Sequence, residues 1–338
     1  MIDSPWLAER PRLRAAVRVL HFAWPYLAFA IGVASYALIE RTDRLAAWLV
    51  FTVFASWVWL LAEPWLKPMR GWRLSRRLAR YATQAVHQET LFFGLPFLLR
   101  ATDWGTGQAL FTGAVAILCL VSLIDPLYFR YVCPRRWRFY AFHGLVAFLA
   151  MQAFAPVVFR LDTVSGYRLA LATGFVVAAQ GFIRLRWGWR RWGRIVLLLG
   201  AVAALWAIRP WVPPITLWMT SGAITQQFDR RQLRPGEVAV VLSPARLQQG
   251  VYAYMALRAP AGLKEPVFHV WRHDGVEFER IPIEITGGRE AGYRTWTFKR
   301  RFDEAPAGYW TVTAETRGGQ RIGRLGFEVR EAHPDPAP

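Results

Sequence analysis

The stretch Ile195–Ile208, IVLLLGAVAALWAI, closed by Arg209-Pro210-Trp211-Val212-Pro213-Pro214, decides how this chain is built. Before it the sequence is apolar, rich in tryptophan and basic; after it, short β-type runs alternate with turn residues. The run is uncharged but falls short of the ~20 helical residues that a hydrocarbon core demands. If it crosses a bilayer, the β-type part lies on the far side from the N-terminus. Without it, that part would stay in the cytoplasm.

Working outward, 54% of the 338 residues are hydrophobic, 19% are charged, and the mean hydropathy is +0.19. This composition excludes disordered, collagen-like and disulfide-stapled classes and points to a chain partly in lipid. Only two cysteines, Cys119 and Cys133, are present, both in the apolar half. The formal charge of +19 would suggest nucleic acid if it sat on one soluble surface. It does not: the chain before residue 220 holds 25 Lys+Arg and 9 Asp+Glu, the chain after it 17 and 14. Fifteen of the 18 Trp also lie in the first part, as expected for aromatic belts at membrane edges.

Seven apolar stretches, at 20–39, 45–63, 82–101, 107–125, 139–158, 167–185 and 195–213, predict a membrane α-helical bundle of about seven transmembrane helices. The segments between them alternate in basic content. Arg10, Arg18, Arg70, Arg80, Arg130, Arg138, Arg184 and Arg194 mark one side, which collects nineteen basic residues; Arg41, Arg44, Arg100, Arg160, Arg168 and Arg209 are all that the other side has. By the positive-inside rule the basic side and the N-terminus are cytoplasmic, and the C-terminal part lies outside. The first stretch follows a basic segment and lacks a small-residue cleavage site, so it reads as a signal anchor.

From about Glu237 the period becomes two, with candidate strands at Val238–Leu242, Val251–Leu257, Val267–Arg272, Phe278–Ile285, Tyr293–Lys299, Trp310–Ala314 and Leu325–Val329. His273-Asp274-Gly275 predicts a tight hairpin, and Gly287-Gly288 and Gly318-Gly319 further corners. The expected organisation is a helical domain over 1–215, a linker over 216–235, an all-β immunoglobulin-like sandwich over 236–332 and a frayed tail over 333–338. The runs Val251–Tyr254, Phe268–Gly275, Gly292–Trp296 and Gly308–Trp310, with Gly323 and Phe327, resemble a bacterial envelope domain family of unknown function. The helical half is similar to the uncharacterised multi-span region that often precedes such domains. The resemblance implies architecture and no activity.

Two groups of residues are candidate sites. His21, His87, Glu89, Asp125 and His143, with Gln84, Gln88 and Gln180, are expected at a common depth toward the cytoplasmic side of their helices. There they could form a proton path, a metal site or a headgroup pocket, or act as hydrogen-bonding glue between helices. His87 and Glu89 are two residues apart and point ~200° away from each other on a helix, so they cannot share one ion. In the β part His269 and His273 on one strand and Arg294 on another suggest an outer surface site, while Trp271 and Trp296 are read as core residues. The segment Arg186–Arg194 interleaves Trp and Arg as a nucleic-acid surface might, but anionic lipid headgroups explain it more cheaply.

No nucleophile elbow, phosphate-binding glycine loop, zinc-binding cysteine pair or zincin helix is present. The leading reading therefore names no metal and no cofactor and requires no catalysis. It predicts a polytopic inner-membrane protein presenting a periplasmic β-sandwich for ligand or protein binding or envelope organisation. Its partners would be the bilayer with anionic headgroups on the cytoplasmic side and a periplasmic protein or glycan, not nucleic acid. The alternatives are an integral-membrane enzyme or transporter using the polar layer, and a membrane sensor.

Overall fold

The computed structural model describes residues 76–182, 188–302 and 306–330. These divide into two compact units. Within the described residues the first comprises 76–99, 112–158 and 167–207; the second comprises 100–111, 159–166 and the chain from Ile208 onward.

The first unit is helical. Its segments are α1 (Arg76–Ala101), α2 (Gly107–Leu123), α3 (Arg136–Val158), α4 (Thr163–Ala179) and α5 (Trp189–Ala207), whose ends at 100–111 and 163–166 belong to the second unit. After α2 the chain turns at Asp125-Pro126, where proline cannot donate a backbone hydrogen bond, and continues as a π-helical turn, Tyr128–Val132. Two glycines let α3 and α4 approach. A Cβ on Gly144 would lie 2.5 Å from the Gly174 carbonyl oxygen, and one on Gly174 would lie 2.9 Å from that of Gly144. Beside this crossing Phe148 meets Tyr167 edge-on at 5.4 Å, and the Tyr167 hydroxyl donates to the Leu205 carbonyl at 2.5 Å.

The expected seven-span bundle is corrected here. Among the described residues one helix, Arg136–Val158, is long and apolar enough to cross a bilayer. A second candidate exists only if Gly107–Leu123 and Asp125–Val132, bent by 94°, form one broken span. The stretches read at 167–185 and 195–213 are the shorter helices Thr163–Ala179 and Trp192–Ala207. The run at 82–101 lies within α1, where Gln84, His87, Gln88 and Glu89 dilute its apolar character. The stretches at 20–39, which includes His21, and at 45–63 lie outside the described residues.

The second unit is all-β apart from its inserted segments and the short α6 (Pro244–Gln248), which Ser243 caps by accepting from the Arg246 N–H. One sheet contains β1 (Trp218–Thr225), β5 (Val251–Arg258) and β8 (Tyr293–Lys299), in the order β1-β5-β8. The other contains β4 (Val241–Leu242), β6 (Lys264–His273), β7 (Val276–Thr286), β9 (Gly308–Thr316) and β10 (Arg321–Val329), in the order β4-β10-β9-β6-β7. A small hairpin pairs β2 (Phe228–Asp229) with β3 (Arg234–Pro235). All pairings are antiparallel except β4 with β10.

Six of the seven expected strands are present, and of the first, expected over Val238–Leu242, only Val241–Leu242 forms; the alternation sets their faces. Trp310, Val312 and Ala314 on β9 and Phe327 and Val329 on β10 point into one core, with Val267 and Trp271 of β6. Ile224, Ala253, Met255 and Leu257 of the three-stranded sheet close it from the other side. The 273–275 hairpin has positive φ at Asp274 (46°) and Gly275 (85°), the pair of left-handed residues that a two-residue turn between twisted strands requires. Strand β1 falls inside the 216–235 stretch expected to be a linker. Its pattern escapes period-two reading because a bulge between Met219 and Ser221 breaks the alternation.

Candidate functional site

Three helical segments bring polar side chains together in the apolar unit. His87 on α1 is fully buried; its Nε2 lies 2.6 Å from His143 Nδ1 on α3 and its Nδ1 lies 2.9 Å from the Tyr128 hydroxyl on the π turn. One turn earlier, Gln84 Nε2 donates to Asp125 Oδ1 at 2.7 Å and to the Ser122 carbonyl at 3.1 Å. Gln88 Nε2 donates to the same carbonyl at 2.7 Å. Thus α1 carries a polar stripe at 84, 87 and 88, the helical spacing that puts three side chains on one face.

Of the residues singled out in sequence, His87 and His143 meet directly, and Asp125 joins through Gln84. Glu89 does not: it is exposed, on the other side of α1 from His87, as the two-residue offset requires. Gln180 lies apart, its carbonyl accepting from Arg136. Tyr128 was not singled out, because a tyrosine just after Asp125-Pro126 reads as a loop aromatic. Only the π turn, with the Cys133 N–H donating to the Tyr128 carbonyl at 3.1 Å, carries its ring inward. Phenylalanines complete the surround: Phe142 packs 5.2 Å from His87, and Phe139 lies parallel to His143 at 5.9 Å. Among the described residues no group of three His, Cys, Asp or Glu is placed to hold a metal. The arrangement can pass hydrogen bonds along a line of amphoteric groups.

In the β unit the expected surface site separates. His269 is fully buried between the sheets, with Nδ1 and Nε2 each 3.1 Å from the hydroxyls of Thr297 and Thr295 on β8. This corrects its reading as a surface residue: with period two, His269 shares the inward face with Val267 and Trp271. Burial holds its imidazole pKa down at about 4. His273, at the end of the same strand, stacks on Trp310 at 4.4 Å and hydrogen-bonds the Ala307 carbonyl. Arg294 points away from the core and donates to the Gln232 carbonyl at 2.9 Å. The three therefore do not form one site.

Trp296 also departs from expectation. It alternates with the buried Thr295 and Thr297 and so faces outward, half-buried, in an aromatic patch with Phe228 and Tyr252. Arg230 lies over Trp296 and donates to the Tyr252 hydroxyl. Further inside, Glu265 is buried and accepts the Thr163 N–H at 2.8 Å and the Thr163 hydroxyl at 2.5 Å. Desolvation raises its carboxyl pKa to about 7, against the pull of these two donors. At the start of α5, Trp189 and Trp192 are exposed, as an interfacial aromatic segment would be.

No curated protein and no solved structure matches this chain. Residues 264–329 match the model described as Protein of unknown function (DUF2914), which covers β6 to β10. Residues 6–253 match the model described as Family of unknown function (DUF5924), so β1 and the start of β5 fall in one match while their partner β8 falls in the other. With most of its length matched, the chain belongs to the DUF5924 family of unknown function.

Proposed function

We propose that the protein is an inner-membrane protein of the bacterial envelope that presents its β unit on the periplasmic side as a binding module of immunoglobulin-like type. One observation carries this reading. The segments 100–111 and 159–166, poor in basic residues, belong to the β unit, whereas the arginine-rich segments 130–138 and 188–194 belong to the helical unit. Under the positive-inside rule the β unit then shares the non-cytoplasmic side with those two loops. Apolar side chains left exposed on the helices, Ile117 and Leu120 on α2 and Val196, Leu197 and Leu199 on α5, support a lipid surround. The sandwich type is supported by the two sheets, β1-β5-β8 and β4-β10-β9-β6-β7, whose inward residues share one core.

The surface best suited to a ligand is the Phe228, Tyr252 and Trp296 patch with Arg230, where aromatic rings and a guanidinium can take a sugar ring or a peptide side chain. Two measurements test the reading. Alkaline carbonate extraction is expected to leave the full chain in the membrane pellet; release into the supernatant would overturn insertion. Protease added to intact spheroplasts is expected to degrade the β unit, and protection until lysis would overturn its placement.

A further inference from the structure

Three side chains from three helical segments, Tyr128, His87 and His143, stand in a hydrogen-bonded line, each no more than 5% exposed. Helix packing alone does not call for this. The neighbouring Gln84 and Gln88 already tie α1 to the end of α2 through the Ser122 carbonyl, using amides that donate hydrogen bonds and do not titrate. Every member of the Tyr128, His87 and His143 line can both give and take a proton. Such groups are costly in an apolar helical unit, where phenylalanine would fill the same space. Tyr128 is held in line by a π turn, a distortion found most often at functional positions.

We propose that this line is a proton-transfer site within the helical unit, with the proton itself as its substrate. A proton reaching the Tyr128 oxygen displaces the phenol proton to His87 Nδ1. His87 then passes its Nε2 proton to His143 Nδ1, and His143 releases the proton on its own Nε2. One proton enters and one leaves, no net charge remains, and each ring ends as its other tautomer. The line resets for a further transfer when the imidazoles turn in place and exchange their protons; hopping back along the line would undo the transfer. The phenylalanines around the two imidazoles keep water from short-circuiting the transfer.

The inference rests on the helical unit lying in lipid, and the test separates the two. The full-length chain is placed in phosphatidylethanolamine and phosphatidylglycerol vesicles, and flotation reports whether it inserts. A valinomycin-clamped potassium gradient then drives proton entry, read by trapped pyranine. Uptake faster than in protein-free vesicles is expected. It should fall about a hundredfold in His143→Phe and Tyr128→Phe, the lower end of what one positioned proton-transfer group contributes. Glu89→Gln, outside the line, keeps the wild-type rate. Wild-type chain that inserts but moves protons no faster than empty vesicles overturns the proposal. So does an unchanged rate in Tyr128→Phe, which removes one oxygen and keeps the ring. A chain that fails to float with the vesicles overturns the membrane reading and this proposal together.

Discussion

The Glu265 carboxyl accepts two hydrogen bonds from Thr163, the backbone N–H at 2.8 Å and the hydroxyl at 2.5 Å, at the first residue of α4. A strand of the β unit thereby supplies the cap that the helix start needs, across 102 residues of sequence. Because the carboxyl is buried, its pKa rises from 4.5 to about 7. A raised carboxyl pKa stabilises the fold fully below about pH 4.5, and that stability is lost as pH rises toward 7. The shift corresponds to at most about 3 kcal/mol. Glu265→Gln should remove this alkaline loss, measured as the melting temperature of the full chain in detergent from pH 4 to 8. An unchanged pH profile would show that the carboxyl does not titrate there.

His269 gives the opposite slope. Its pKa is lowered from 6.5 to about 4 by burial between the sheets, so its stabilising effect is complete above pH 6.5 and is lost as pH falls toward 4. The two effects largely offset each other between about pH 4.5 and 6.5. His269→Gln is therefore expected to unmask a melting temperature that falls with rising pH, and Glu265→Gln one that rises. Parallel profiles in the two variants would contradict the assignment.

Lys299 is buried on β8 and pairs with Glu279 of β7, whose carboxylate is half-exposed, while its ammonium lies 4.2 Å from the Phe278 ring centroid. Removing one partner of such a pair is not symmetrical. Glu279→Ala leaves a buried cation with less compensation and should cost about 2 kcal/mol, reduced by solvent access on the acid side. Lys299→Met keeps the volume, removes the charge and should be close to neutral. Chemical denaturation of both variants measures this, and equal losses would refute the burial argument.

Trp271 and Trp296 differ by face. Trp271 is fully buried in the core and should cost about 3–5 kcal/mol when cut to Ala. Trp296→Ala should cost less than half as much, because its ring packs only within the outward patch. Denaturant midpoints decide the order, and a reversal would mean that the register of β8 is wrong by one residue.

The β unit was largely legible in the sequence because period-two alternation survives where one face is buried, as at Trp310, Val312 and Ala314. The same rule puts His269 on the face of Trp271 and Trp296 on that of Arg294, so reading His269 as a surface residue and Trp296 as core went against it. Only the pairing of Tyr254 with Trp296 and the burial of Thr295 and Thr297 fix the true faces. The β1 strand was hidden by its bulge at Met219. In the helical half, composition marked apolar segments but not their ends: the stretch read at 167–185 is the helix Thr163–Ala179, and the helix in the stretch read at 195–213 ends at Ala207. His87 and His143 were recognisable as costly polar groups in apolar runs. Their meeting, and the part of Tyr128, depended on helix packing that single-segment reading does not reach.

The central proposal, that the β unit is periplasmic, is tested most directly by reporter fusions after Pro338. Alkaline phosphatase and a fluorescent protein are fused separately and their activities compared in cells. The account predicts an active phosphatase and a dark fluorescent protein. A bright fluorescent protein with inactive phosphatase would place the β unit in the cytoplasm and contradict it.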